Sequence, residues 1–132
     1  MAEIVVLDAS TVIALYDSKD LNHKWSLQLF RETVAFELVM SSLTYAEVLV
    51  HPIRSGKQKA FEKGVSGLGI KIQGINPGDA VKLAQIRANT KLKMPDAIVL
   101  ATALELEAAV ATTDKSLASA ARKLSVGVFQ PN

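Results

Sequence analysis

The stretch Ile4-Val5-Val6-Leu7-Asp8 decides the fold. Its first four residues are a continuous apolar run rich in β-branched side chains, which is typical of a strand buried on both faces of a parallel sheet. The run stops at Asp8, and Ala9-Ser10 follow. Because Ser10 is a favoured N-cap residue, we expect a helix to begin immediately after the strand.

Four further short apolar segments lie along the chain, and a stretch long enough for a crossover connection separates each from the next. Together with the first, the predicted strands cover residues 4–7, 38–40, 70–72, 109–112 and 126–129. Connections of this length favour right-handed crossovers and hence a largely parallel sheet. The sequence therefore predicts an α/β fold with a central five-stranded sheet flanked by helices on both faces.

The segments between the strands carry helix-start and helix-stop signals. We predict helices over residues 10–16, 22–36, 42–51, 57–65, 77–92, 95–107 and 115–124. The third, with start signals at Ser42 and Thr44, is expected to end or kink near His51-Pro52, because proline lacks the backbone N–H of a helix interior. The sixth contains the run 97–104, which is apolar nearly all round and predicts a central, buried helix.

Length and composition are those of an ordinary globular protein, with 132 residues, 49% of them hydrophobic and 21% charged. We expect one domain over residues 1–132. The longest nearly apolar stretch is far shorter than the roughly 20 residues of a membrane-spanning helix, and the N-terminus lacks the basic region of a signal peptide. These features predict a cytoplasmic protein that does not enter a membrane. The absence of cysteine excludes disulfides and zinc–thiolate sites, while a metal site with oxygen ligands stays open.

The charge is distributed unevenly along the chain. Residues 54–93 contain nine basic and two acidic residues, a local net charge of +7 within an overall charge of +2. A basic flank beside an acidic cleft suits a polyanion whose backbone must be held near metal ions. Lys91 and Lys93 are the best-placed candidates for phosphate contacts, although lysines near a helix end also stabilise its macrodipole.

Four acidic residues sit where an apolar run gives way to a helix start: Asp8, Glu47, Asp96 and Asp114. In open parallel sheets, active sites form beyond the carboxyl ends of the strands. Asp8, Glu47 and Asp114 follow predicted strands, whereas Asp96 begins a helix that leads into a strand, so its presence at the same edge requires that helix to double back. Converging carboxylates repel one another and form a site for hard divalent cations.

Each of these acids also has a purely structural explanation. Asp8 and Asp114 are reasonable N-caps, Thr44 with Glu47 matches a capping box, and Asp96 behind Pro95 is an ordinary acid of a first helical turn. Their joint placement, accompanied by hydroxyl residues, shifts the interpretation towards a shared site. The accompanying hydroxyl residues are Ser10, Thr44, Thr112 and Thr113.

Four segments of the chain resemble, in order and spacing, the successive motifs of PIN-domain ribonucleases. They are Asp8-Ala9-Ser10, Ser42-Leu43-Thr44-Tyr45-Ala46-Glu47, Pro95-Asp96-Ala97-Ile98-Val99-Leu100-Ala101-Thr102-Ala103, and Thr112-Thr113-Asp114. The small size is similar to that of the VapC-type toxins of toxin–antitoxin pairs. The chain departs from the common family pattern in having Thr113 before the last acid and Lys115-Ser116-Leu117 after it.

The resemblance implies a single PIN-like domain and a metal-dependent endoribonuclease that uses one or two Mg²⁺ or Mn²⁺ ions. It implies that the metal ligands are Asp8, Glu47, Asp96 and Asp114. Ser10 is implied as a catalytic neighbour, and Ser10 and Thr112 are candidates to hydrogen-bond a ligand carboxylate or the scissile phosphate. The implied partners are an RNA substrate, a cognate antitoxin and a second copy of the chain in a homodimer.

Other functions remain as alternatives. One is a PIN-type nuclease of RNA maturation, and another is a non-catalytic metal- or RNA-binding module on the same fold. A phosphatase that forms an aspartyl-phosphate is disfavoured, because its D-x-D motif would require an acid where Ser10 stands. His23 and His51 lack metal-binding spacing, and the glycines at 64, 67 and 69 lack the preceding strand of a dinucleotide site.

Overall fold

A computed structural model describes residues 3–132 of the chain. Within them lie five strands and seven helices, which alternate as the sequence predicts. The strands are β1 (Ile4–Leu7), β2 (Glu37–Ser41), β3 (Lys71–Gln73), β4 (Ala109–Ala111) and β5 (Val128–Phe129). The helices are α1 (Ala9–Tyr16), α2 (His23–Glu32), α3 (Ser42–Arg54), α4 (Gln58–Gly67), α5 (Asp79–Asn89), α6 (Met94–Leu106) and α7 (Lys115–Lys123).

The five strands form one sheet in the order β3-β2-β1-β4-β5, and every pairing is parallel. This confirms the predicted α/β fold. The chain moves from β1 outward to β2 and β3, and then returns to the other side of β1 with β4 and β5. The strand order therefore reverses between β1 and β4, and this is the position where parallel α/β sheets form their sites.

Successive residues of β1 point to opposite faces of the sheet and enter two separate cores. Val5 and Leu7 pack in a core with α1 to α4, whereas Val6 packs in a core with α5, α6 and α7. A strand covered on both sides has no solvent-facing residue, so its sequence is continuously apolar rather than alternating. Val5, Val6 and Leu7 are accordingly fully buried.

Helix α6 lies at the centre of the second core. Its residues from Ala97 to Ala103 are all buried, because the helix contacts the sheet on one side and α5 and α7 on others. The prediction of a central, buried helix is confirmed. Since α6 leads directly into β4 of a parallel sheet, its N-terminus lies at the carboxyl edge of the sheet. None of the helices in residues 3–132 combines the length and apolarity needed to cross a bilayer.

Several predicted helix boundaries are wrong, for identifiable reasons. Helix α1 begins at Ala9 with Asp8 as its N-cap, so Ser10 lies in the first turn rather than at the cap. Helix α2 ends at Glu32 instead of residue 36, because the chain turns at Thr33, where the Phe36 N–H donates to the Thr33 carbonyl at 2.9 Å. Helix α3 continues through Pro52 to Arg54, since a proline near the last turn removes a single intrahelical hydrogen bond.

Smaller shifts affect other elements. Strand β3 covers Lys71–Gln73 rather than 70–72, and α5 covers Asp79–Asn89 rather than 77–92. Ile70 is buried just before β3 begins, which explains why the apolar pattern placed the strand one residue early. None of these shifts moves an acidic residue away from the carboxyl edge of the sheet.

Candidate metal centre

The carboxyl ends of β1 and β4 bring two of the predicted acids together at the reversal of strand order. The Asp8 N–H donates to the carbonyl of Ala111 at 3.0 Å, which extends the β1–β4 pairing by one step. Asp114 follows three residues after Ala111. The sheet itself thus fixes the positions at which both acids leave their strands.

The Asp8 side chain is held by two hydroxyl groups. Oγ of Ser10 and Oγ1 of Thr112 each donate to Oδ2 of Asp8 at 2.7 Å. The same hydroxyls accept backbone N–H groups, from Thr113 to Ser10 at 3.0 Å and from Asp114 to Thr112 at 2.9 Å. Among residues 3–132, no donor reaches Oδ1 of Asp8. One carboxylate oxygen is therefore anchored, and the other is free for a ligand.

Asp114 has the structural role that its sequence position suggested. Its Oδ1 caps α7 by accepting from the N–H groups of Ser116 at 2.8 Å and Leu117 at 3.1 Å. The cap fixes the orientation of the carboxylate. Within the described chain Oδ2 carries no such bond, so capping and ligand binding are compatible in this residue.

Glu47 has no capping role. The N-cap of α3 is Ser41, whose Oγ accepts from the N–H of Leu43 at 3.2 Å, so the proposed Thr44–Glu47 capping box does not form. Glu47 lies further along the helix and is exposed. Its pKa is raised above the usual value, first by partial desolvation and then by the negative charge of Asp8. The structural explanation considered for Glu47 is therefore ruled out.

Asp96 joins the other three acids from the first turn of α6. Its pKa is raised to about 6, mainly by burial, and further by the charges of Asp114, Asp8 and Glu47, in that order. Lys93, the N-cap residue of α6, acts in the opposite direction. The helix does double back, as the sequence argument required, and all four acids share one electrostatic neighbourhood.

The donor set fits a hard divalent cation, although the carboxylates are not drawn together around one point. Within residues 3–132 no group of three or more His, Asp or Glu side chains forms a ready-made ligand cage. Charge repulsion acts over longer distances than metal coordination, so the raised pKa values and the open arrangement are compatible. A cation held among these carboxylates, directly or through water, would offset their charge.

Two lysines predicted as weak phosphate contacts are exposed beside this cluster. Lys93 is close enough to influence Asp96, and Lys91 lies in the loop that precedes α6. Lys115, which sequence reasoning did not select as a site residue, is exposed directly after Asp114. The sequence signal for Lys115 was a basic residue directly after an acid at the end of a strand.

His23 lies outside this cluster. Its Nδ1 is 2.8 Å from the carbonyl oxygen of Ala14, so this ring nitrogen is engaged in the contact between α1 and α2.

Fold and site together define a parallel α/β protein with a carboxylate cluster at the reversal of strand order. A family model for the PIN domain matches residues 5–123. The chain belongs to the PIN-domain family, which confirms the resemblance carried by the four motifs.

Solved structures agree with this assignment. A toxin–antitoxin complex from Klebsiella pneumoniae is similar with a TM-score of 0.75 and 26% identity, over 97% of this chain and 98% of that one. FitAcB from Neisseria gonorrhoeae has a TM-score of 0.72 and 22% identity, over 95% and 96%. VapC20 from Mycobacterium tuberculosis, a sarcin-ricin loop cleaving toxin, has a TM-score of 0.71 and 13% identity, over 88% and 94%. No curated protein sequence matches the chain.

Replacing Thr112 with valine is expected to destabilise the protein by about 1–3 kcal/mol, because it leaves the N–H of Asp114 without its acceptor and removes one donor to Asp8. The free energy of unfolding in urea measures this effect. Thr102→Val is the matched control, since Thr102 is also buried but its hydroxyl donates to the carbonyl of Ile98 in its own helix. Equal losses in the two variants would contradict a special role for Thr112.

Proposed function

We propose that this protein is a metal-dependent endoribonuclease and the toxin component of a toxin–antitoxin pair. The observation that carries the proposal is the Asp8 carboxylate at the reversal of strand order, with Oδ2 held by Ser10 and Thr112 and with no donor from residues 3–132 on Oδ1. The pKa of Asp96 is raised to about 6 by burial and by the charges of the other three acids, and perturbed pKa values of this kind are common at functional sites. Membership of the PIN family and the toxin–antitoxin structures similar to it support this function.

In the proposed mechanism, Asp8, Glu47 and Asp96 hold the principal Mg²⁺ or Mn²⁺ ion, and Asp114 completes the site or favours a second ion. A bound ion lowers the pKa of a coordinated water and stabilises charge on the attacked phosphate. Ser10 and Thr112 hold the Asp8 carboxylate through Oδ2, which would leave Oδ1 to bind the ion. Whether either hydroxyl also contacts the phosphate stays a prediction.

Two protein partners belong to the same proposal. For a homodimer, the support is an exposed apolar row along α3, in which Leu43, Val50 and Ile53 are each 43–52% exposed. Light scattering of the purified protein tests this assembly, and a monomer at all concentrations would contradict it.

For an antitoxin, the support is an apolar groove of about 690 Å³ beside Glu47. Val12, Tyr16 and Phe61 are among its wall residues, and it offers a surface on which an apolar segment of the antitoxin could bind.

The function is tested by incubating the protein with a mixed RNA pool and Mg²⁺ or Mn²⁺, with and without EDTA. We expect internal cleavage with either ion and none in chelator, because the carboxylates alone supply no Lewis acid to stabilise charge on the phosphate. Restoring the ion in excess over EDTA should restore cleavage. Cleavage that persists in EDTA would contradict the metal mechanism, and metal-dependent RNA binding without cleavage would favour the non-catalytic module.

A maturation nuclease on the same fold would pass the same cleavage test. The two roles differ in their effect on the growth of the host cell, because a toxin arrests growth when it is expressed without its partner. Growth arrest on expression that is relieved by a co-expressed neighbouring reading frame supports the toxin. Expression without arrest, together with accumulation of an unprocessed RNA when the protein is absent, would favour maturation.

A further inference from the structure

A lysine-lined groove runs between α5 and α7 on the α6 side of the sheet. Its volume is about 1120 Å³. Ile86, Leu92 and Leu104 contribute to its apolar floor, and four lysines contribute to its walls: Lys82, Lys91, Lys115 and Lys123. We call this feature the α5–α7 groove.

The charge of the α5–α7 groove has one sign. Its lining residues include four lysines and no Asp or Glu. Lys115 and Lys123 are eight residues apart on α7, which places them on one side of the helix and about 12 Å apart. Lysines on both sides of an elongated cleft create a continuous positive potential, and such a potential fits an extended polyanion better than a single small anion.

One end of the α5–α7 groove lies at the carboxyl edge of the sheet, where α7 begins after β4 and the loop before α6 ends. Lys115 follows Asp114 directly, and Lys91 lies in the loop that leads into α6, five residues before Asp96. An extended ligand held in the groove would therefore continue towards the edge of the sheet on which the four acids lie. None of the four acids lines the groove, so an extended ligand would continue past Lys115 to reach them.

We propose that the α5–α7 groove binds the sugar–phosphate backbone of the RNA strand that flanks the cleaved bond. This inference rests on the proposed function and names the part of the protein that holds the substrate. Phosphates would lie against the four lysines, and ribose and base surfaces would cover the apolar floor. Because no aromatic side chain lines the groove, base stacking has no platform there, and the contacts are expected to be independent of RNA sequence.

The test is the salt dependence of RNA binding, measured in an Asp8→Asn background by fluorescence anisotropy with a short single-stranded RNA. The four-lysine variant carries Lys82→Gln, Lys91→Gln, Lys115→Gln and Lys123→Gln. Each lost phosphate contact lowers the slope of log K against log salt by about 0.7 for a single strand, so four contacts lower it by about 2.8. At about 0.15 M salt we expect affinity to fall on the order of 100-fold.

A matched control keeps the same change of net charge away from the α5–α7 groove. It carries Lys19→Gln, Lys24→Gln, Arg31→Gln and Arg122→Gln, four exposed basic residues that lie outside both the groove and the basic segment 54–93. The control should retain nearly the full slope. An equal loss of slope in both variants, or an unchanged slope in the groove variant, would overturn the proposal.

Two further measurements separate this inference from the proposed function. RNA cleavage is assayed in the protein with Asp8 intact. If the protein cleaves RNA but the groove lysines have no effect on RNA binding, the inference is overturned and the nuclease proposal stands. If RNA binding depends on the groove lysines but no cleavage occurs, the inference is supported and the nuclease proposal is overturned. The second measurement is the binding of a polyglutamate peptide. If the lysine substitutions weaken peptide binding but leave the salt dependence of RNA binding unchanged, the groove binds an acidic protein and the RNA inference is overturned.

Discussion

Replacing Asp8 with asparagine is expected to lower RNA cleavage on the order of 10³-fold or more while leaving the protein folded. The carboxylate has one anchored and one free oxygen, and asparagine can match this arrangement. Its amide oxygen can take the place of Oδ2 and accept the hydroxyls of Ser10 and Thr112. The amide NH₂ would then stand where Oδ1 faces the ligand, so a donor without negative charge would replace a metal ligand.

The measurement is kcat/KM on a defined RNA cleavage site at saturating Mg²⁺, together with circular dichroism to verify the fold. Asp79→Asn is the control, because Asp79 accepts the N–H of Asn76 at 2.8 Å in the turn before α5 and is absent from the charges that raise the Asp96 pKa. The control should cleave at nearly the unmodified rate. Cleavage by Asp8→Asn within tenfold of the unmodified protein would remove Asp8 from the metal centre.

The fold was predictable because its central elements have sequences that few other environments tolerate. A strand such as β1, covered on both faces, has an unbroken apolar sequence, and α6 has the sequence of a helix that is apolar all round. The exact ends of helices were harder to predict, because neighbouring residues compete for the cap and turn positions. The end of α2 depends on the turn that begins at Thr33, and the start of α1 depends on Asp8, rather than Ser10, taking the cap position.

The sequence indicated which acids lie near the carboxyl edge of the sheet more clearly than how they are bonded. Position after predicted strands selected Asp8, Glu47 and Asp114, whereas the place of Asp96 depended on its helix doubling back. The bond from Thr112 to Asp8 spans 104 positions in sequence and follows only from the pairing of β1 with β4. The α5–α7 groove depends likewise on how two helices pack, so only Lys91 among its four lysines was singled out from the sequence.

Replacing Asp96 with asparagine is expected to have opposite effects on stability and on metal binding. The folded-state pKa of Asp96 is raised to about 6, against a usual value of 3.8. Between these values the folded chain binds a proton that the unfolded chain releases, so stability falls as pH rises from about 4 to 6 and is then level. Asparagine carries no charge, and it therefore removes this penalty at pH 7.

In EDTA at pH 7, Asp96→Asn should be more stable than the unmodified protein by about 1 kcal/mol, a value reduced from the full shift because solvent screens a partly exposed group. This corresponds to a rise in Tm of about 4 °C. The difference should be much smaller at pH 4, where the carboxyl is protonated in the folded chain and partly protonated in the unfolded chain. Glu47 is present in both proteins, so only its electrostatic coupling to Asp96 enters the comparison.

Adding Mg²⁺ at pH 7 should reverse the order of stability. A ligand that binds only the folded state stabilises it by mass action, and the unmodified protein gains this binding while Asp96→Asn loses most of it. Thermal unfolding in EDTA and in Mg²⁺, at pH 4 and pH 7, measures both effects in one series. If Asp96→Asn is less stable in EDTA at pH 7, burial and repulsion together do not disfavour the Asp96 carboxylate in the folded chain. If Mg²⁺ raises both Tm values equally, the ion binds elsewhere. The expected pattern, a residue that weakens the empty fold and strengthens the metal-bound one, is what a site selected for its ligand should show.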